Sequence, residues 1–205
     1  MEPKEILGLS ALILSIVNGL MLLKYYLRDR PKLIVRPIHP EVYQWWFKLP
    51  DGEFEGNPTR KYGFLAYIDV INCGLRKVSI GSWNLFLRTV GFKRVELKPI
   101  NIPEPKGDIG GGINKFLPVL GQRGPLFAGD TLVDSGVCIS GMAYYILEFH
   151  GGEAWNSRIK NERITGKLVV RDVFGKKAHC KIVFSKISLE KVTSMIEGIE
   201  KIGAK

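Results

Sequence analysis

One uninterrupted apolar run constrains this chain more than any other feature: residues 6–23 hold no Asp, Glu, Lys or Arg, and only Ser10, Ser15 and Asn18 among them are polar. A helix of that length rises about 27 Å, and a snorkelling Lys24 with the amphipathic Tyr25 and Tyr26 extends it to the ~30 Å of a bilayer core. The run is predicted to be a membrane-spanning helix. Nothing else in the sequence offers enough apolar partner surface to bury a helix that is hydrophobic on every side. A cleaved signal peptide is the main alternative. Against it, Lys4 is offset by Glu2 and Glu5, and the bulky basic stretch after the run lacks a small-residue cleavage site.

The flanks give an orientation. Lys24, Arg28, Arg30, Lys32 and Arg36 come after the helix, while only Lys4 and the amino terminus precede it, and the Lys/Arg-rich side of a span is the cytoplasmic one. Residues 1–30 are therefore expected to be a membrane anchor with its basic flank, holding the rest of the chain on the cytoplasmic side. Lys24, Tyr25, Tyr26, Arg28 and Arg30 form its membrane-interface set. Within the helix, Ala11, Ser15 and Gly19 recur every fourth residue with Asn18 beside them. Small side chains let two helices approach, and an asparagine amide in hydrocarbon gains from a partner across the contact. The expected partners are the lipid bilayer and, laterally, a second copy of the chain or another membrane protein.

Beyond the anchor the length fits one ordinary domain, residues 31–187, with a short amphipathic helix over 188–205. That part carries 29 Lys and Arg against 18 Asp and Glu, or +11. A basic domain held beside a bilayer is attracted first to anionic headgroups and only secondarily to nucleic acid. The cations are scattered, as in Lys160, Arg163, Lys167, Arg171, Lys176 and Lys177, which is also how an ordinary solvated surface looks.

The β pattern is strong. Residues 62–71 and 78–89 read as a strand pair about the Asn72-Cys73-Gly74 turn. Residues 93–98, 131–139 and 143–149 read as further strands, and 164–173 and 178–187 flank a Phe174-Gly175-Lys176-Lys177 hairpin. Residues 40–60 read as irregular structure rich in aromatics, in which Trp45, Trp46 and Phe47 either lie against headgroups or cap one end of the core. Residues 99–129, dense in Pro and Gly, break the rhythm as a long insert. After Ser188, a plausible N-cap, Leu189, Val192, Met195, Ile196, Ile199 and Ile202 keep helical spacing, weakened by Gly198. The expected architecture is mainly β, an antiparallel sandwich with turn signals between short strands.

Particular residues carry a likeness to known proteins. Val70-x-Asn72-x-Gly74, Val78-x-Ile80, the Gly129-Asp130 turn and Val170-x-Asp172-x-x-Gly175-Lys176 resemble uncharacterised prokaryotic single-pass membrane proteins. The resemblance spans residues 32–185 and implies an immunoglobulin-like β-sandwich. Its motifs mark turns and supply no catalytic residue.

A search for chemistry finds little. Cys73, Cys138 and Cys180 are an odd, sparse set unlike a disulfide framework, and His39, His150 and His179 have no metal-ligand spacing with them. Gly110-Gly111-Gly112-Ile113-Asn114-Lys115 lacks P-loop spacing. Asp130, Asp134 and Asp172 form no compact acidic calcium loop, and Asp130 and Asp172 fit turn and cap roles. No cofactor is implied. The expectation is a non-enzymatic, membrane-anchored binding or scaffolding module that presents a surface to a cytoplasmic protein. A module contacting anionic lipid or, less favoured, nucleic acid is the alternative, and an enzyme with an unrecognised site comes after both.

Overall fold

The structure is a computed structural model that describes residues 3–30, 32–40, 42–88, 94–100, 131–150 and 161–202. Helix α1 (Pro3–Asp29) contains the apolar run. Over Lys4–Asp29 it is long and apolar enough to cross a membrane, with a mean hydropathy of 2.3 and no part of that window covered by the rest of the chain. Ser10 Oγ donates back to the Leu7 carbonyl at 2.9 Å, which satisfies the hydroxyl inside the helix.

Strand β4 (Asn57–Asn72) is the spine of the β domain. One of its edges pairs with β8 (Cys138–His150), from Thr59 opposite His150 to Ile71 opposite Cys138. The other edge is shared along its length by β3 (Gly52–Phe54), β2 (Gln44–Lys48) and β1 (Leu33–Pro37). The ladder continues from β2 to β10 (Lys177–Lys186), β9 (Arg163–Asp172) and β5 (Val78–Arg88). That strand pairs in turn with β6 (Arg94–Leu97) and β7 (Thr131–Val133). Side chains from β4 and β8, such as Phe64, Ile68 and Tyr145, meet Leu85, Leu168 and Phe184 from the other half in one buried cluster. The sheet thus bends round to enclose its own core.

Because residues 62–71 are almost continuously apolar, β4 can be buried on both faces. Phe64, Ala66, Ile68 and Val70 point into the main cluster. Leu65 and Tyr67 point the other way, onto a second cluster. There α2 (Leu189–Met195) and the residues after it cover them with Val192, Met195, Ile196 and Ile199.

Several expectations need correcting. The sheet is mixed, since β10 and β2 run parallel at Ser185 opposite Trp45 and Lys186 opposite Trp46. Residues 40–60 are not irregular throughout but supply β2, β3 and the start of β4. Residues 131–139 are not one strand, because Gly136 at φ +73° sits in a turn that separates β7 from β8. The alternation across 78–88 reverses at Gly81, where a bulge lets Ile80 and Trp83 both face the core. The terminal helix stops after Met195. Ile196 is extended, and Gly198 at φ +80° leads into a single 3-10 turn, Ile199–Lys201. Ser188 does occupy the N-cap of α2, without a side-chain capping bond. Most of the insert expected over 99–129, with its glycine run and Asp130, lies outside the described residues.

Candidate anion-binding face

The strands β5, β9 and β10 turn one side of their pleats into the core and the other outward. Since side chains alternate along a strand, Leu168 and Val170 face in while Arg163, Lys167, Val169 and Arg171 face out. Ile182 and Phe184 face in while Lys177, His179, Lys181 and Val183 face out. The outer side is an open groove of about 1370 Å³, continued by Phe86, Arg88 and Arg94.

Register makes this face unusual. Arg171 lies directly opposite Lys177, Lys167 opposite Lys181, and Arg88 opposite Arg94. Like charges in directly opposed cross-strand positions destabilise a sheet, and no Asp or Glu lines the groove among the described residues. The nearest carboxylate in the register, Glu96 opposite Phe86, is engaged by the Asn84 amide. Arg171 Nε is buried without a hydrogen-bond partner among the described residues. Phe86, Val169 and Val183 are apolar positions interleaved with the cations: Phe86 lies opposite Lys167, Val169 opposite His179 and Val183 opposite Thr165, and Val169 is 7% exposed. The arrangement is a cationic sheet face interspersed with apolar positions, suited to a ligand with several negative charges.

A second polar cluster is the nearest approach to a catalytic arrangement. Asp69 on β4 receives Arg36 Nε at 3.0 Å and Ser140 Oγ at 2.5 Å, and Cys138 Sγ lies 3.8 Å from that hydroxyl. Both carboxylate oxygens are therefore occupied. The Cys138 thiol is pushed up from its ordinary pKa, chiefly by desolvation, so it stays protonated and is a poor nucleophile at neutral pH. Cys180 packs partly buried against the core, and burial pushes its pKa up to about 11. All three cysteines are free thiols, and no cluster of His, Cys, Asp or Glu suited to a metal is found among the described residues.

No protein-family model and no curated protein matches this chain. Two of the solved structures that resemble it do so faintly. A Northeast Structural Genomics Consortium target, SoR45, shares 8% identity over 78% of this chain and 89% of its own, at a TM-score of 0.30. A protein from Bordetella pertussis assigned as ApaA shares 9% identity over 77% of this chain and 96% of its own, also at 0.30. At that level neither similarity bears on what the chain does.

The residues singled out in the sequence fall in separate places. Ala11, Ser15, Asn18 and Gly19 lie on the uncovered surface of α1, and an added Cβ at Gly19 would meet only open space. Lys24, Tyr25, Tyr26, Arg28 and Arg30 gather at its C-terminal end, with the Arg28 guanidinium 5.2 Å from the Tyr25 ring centroid and that of Arg30 4.5 Å from Tyr26. Trp46 is a core residue, 5% exposed, whose indole donates to the Glu162 carbonyl at 2.7 Å. Trp45 packs partly buried against the second cluster. Of the two roles expected for this pair, core packing describes their positions, and Trp46 has almost no surface left for a headgroup. Asp172 serves a turn, accepting from the Phe174 and Lys176 amides at 2.9 and 2.8 Å.

The paired cations are not evident as a set from the sequence. Their trace there is the four-residue spacing of Arg163, Lys167 and Arg171 on one side of the hairpin and of Lys177 and Lys181 on the other. An even spacing puts each series on one face of its strand.

Proposed function

We propose that this protein is a non-enzymatic, single-pass membrane module whose β domain, an immunoglobulin-like sandwich in its two-layered enclosure of one core, captures an acidic segment of a cytoplasmic protein partner. The observation that carries this reading is the set of three directly opposed like-charge pairs on one sheet face. Their mutual repulsion is relieved when an anionic partner enters the groove. An acidic polypeptide matches the opposed cations, and its apolar side chains match Phe86, Val169 and Val183 interleaved with them. Nucleic acid fits less well, because among the described residues the groove offers only the half-buried Phe86 and the exposed His179 as rings for stacking bases.

The basic flank of α1 supports a cytoplasmic domain. Asn18 supports lateral pairing of the helix: it makes no hydrogen bond from its side chain among the described residues, and in hydrocarbon its amide is satisfied by a neighbouring helix packed along Ala11, Ser15 and Gly19.

The test is binding of poly-glutamate to the full-length protein in zwitterionic nanodiscs. Lys167→Glu with Lys181→Glu is expected to abolish binding that the parent shows and that weakens as salt rises. Binding that ignores both substitutions rejects the reading, and preferential capture of a single-stranded oligonucleotide replaces it with a nucleic-acid one.

A further inference from the structure

Among the described residues of the β domain, six of the seven exposed large apolar side chains lie at one end, Val42 being the exception. Leu75 lies in the β4–β5 turn, Val137 just before β8, Leu132 on β7 and Ile34 on β1, while Val173 and Phe174 form the tip of the β9–β10 hairpin, with Phe174 78% exposed. Hydrogen bonds tie these loops into one surface. Asn72 N donates to the Val137 carbonyl at 3.1 Å and Ser135 Oγ to the Gly74 carbonyl at 2.8 Å. Val173 N donates to the Ser79 carbonyl at 3.0 Å. Lys32, Arg76, Lys77, Lys176 and Lys177 surround the apolar group, and two solvent-accessible acids stand among them, Asp134 paired with Lys77 at 2.9 Å and Asp29 beside Arg76.

This is also the end at which the anchor joins. Asp29 closes α1 and Leu33 opens β1, four residue steps that reach at most roughly 14 Å. Cys73 N donates to the Lys32 carbonyl at 2.8 Å, and Arg76 lies 4.0 Å from the Asp29 carboxylate. If Tyr26 marks the edge of the hydrocarbon, Asp29 stands about 4.5 Å farther out, inside a headgroup layer roughly 5–7 Å thick.

We infer that this end is a lipid-docking surface: Leu75, Val173 and Phe174 enter the headgroup–acyl boundary of the bilayer that α1 spans, while the surrounding lysines and arginines meet anionic headgroups. The inference rests on α1 spanning the membrane. Apolar side chains ringed by cations gain from both burial and surface charge at that depth. Asp172 and Gly175, at φ +82°, hold the hairpin tip in shape, so little ordering accompanies insertion. With this end down, β9 and β10 rise away from the bilayer and leave the upper part of the cationic face open to the aqueous phase.

The experiment uses full-length protein in liposomes containing phosphatidylserine and lipids brominated near the top of the acyl chains. Phe174→Trp is expected to add fluorescence that is blue-shifted and quenched by bromine, and Leu75→Trp to do the same. Asn57→Trp, at the opposite end of β4, is expected to add fluorescence that is neither shifted nor quenched. Carbonate extraction of the same samples reports whether α1 is integral. Unquenched, solvent-like emission from both positions 174 and 75 in carbonate-resistant protein overturns the docking surface alone. Release of the protein by carbonate overturns the spanning helix and the docking surface with it.

Discussion

Lys167 and Lys181 stand directly opposite each other on neighbouring antiparallel strands, without an acidic partner for either among the described residues. A sheet selected for stability alone would place opposite charges there. The pair therefore ties the energetics of the fold to the proposed function.

Replacing one member separates the two. Lys167→Glu turns the repulsive pair into an attractive one and is expected to stabilise the fold by roughly 0.5 kcal/mol, read as a higher denaturation midpoint. The same variant is expected to bind poly-glutamate more weakly. Salt is expected to raise the melting temperature of the parent more than that of the variant, because it screens the repulsion. A variant less stable than the parent would refute the energetic argument.

Asn72 organises the end where helix α1 joins. Its buried amide donates to the Arg76 carbonyl at 2.7 Å and the Val133 carbonyl at 3.1 Å, and its side-chain oxygen accepts from Gly74 N at 3.0 Å. Asn72→Ala strands three backbone groups and is expected to cost roughly 2–3 kcal/mol. Urea unfolding of the full-length protein in a fixed detergent measures it as a shift of midpoint at constant slope.

Close packing around Gly63 gives a third expectation. A Cβ there would stand 2.5 Å from Phe47 Cζ and 3.1 Å from Tyr144 Cε2, and those two rings are stacked with centroids 6.2 Å apart. Gly63→Ala must push Phe47 off its neighbour and is expected to destabilise by roughly 1–3 kcal/mol. Thermal melting monitored in the near-ultraviolet reports both the loss of stability and the displaced rings.

Alkaline pH probes the core thiol. Burial raises the folded-state pKa of Cys180 from its ordinary 9.0 to about 11, so the folded protein holds this proton more tightly than the unfolded chain. Its contribution to stability is complete below pH 9 and is lost as pH rises toward 11. Cys180→Ala is expected to flatten the fall of stability over that window in a pH series of urea midpoints. At pH 8, maleimide is expected to label the exposed Cys73 before Cys180, as read by peptide mass spectrometry.

Legibility tracks the range of the signal. The apolar run, the β9–β10 hairpin and the long β4 strand are visible in the sequence because hydrophobic period and turn residues are local properties of adjacent positions. Three differences trace to weak local signals that tertiary contacts override. The aromatic β2 sits between prolines and glycines, so Gln44–Lys48 has no regular look until its pairing with Tyr62, Phe64 and Ala66 supplies a ladder. The bulge at Gly81 moves Trp83, Leu85 and Leu87 onto the core side through contact with β9, which nothing near Gly81 announces. Gly198 weakens the terminal helix as its residue type implies, and its left-handed backbone separates α2 from the final 3-10 turn.

The cationic face divides the same way. Even spacing along each strand, set by the amino-acid order alone, determines that Arg163, Lys167 and Arg171 share one side, as do Lys177 and Lys181, and the unbroken apolar run makes residues 6–23 part of a helix long and apolar enough to cross a membrane. Only the tertiary structure decided that Lys167 meets Lys181, that Arg88 meets Arg94 across β5 and β6, and that the exposed Leu75 and Phe174 share an end with helix α1. Those relationships depend on strand register and on contacts between residues far apart in the chain, and hydrophobic burial, which selects the register, sees the whole core at once.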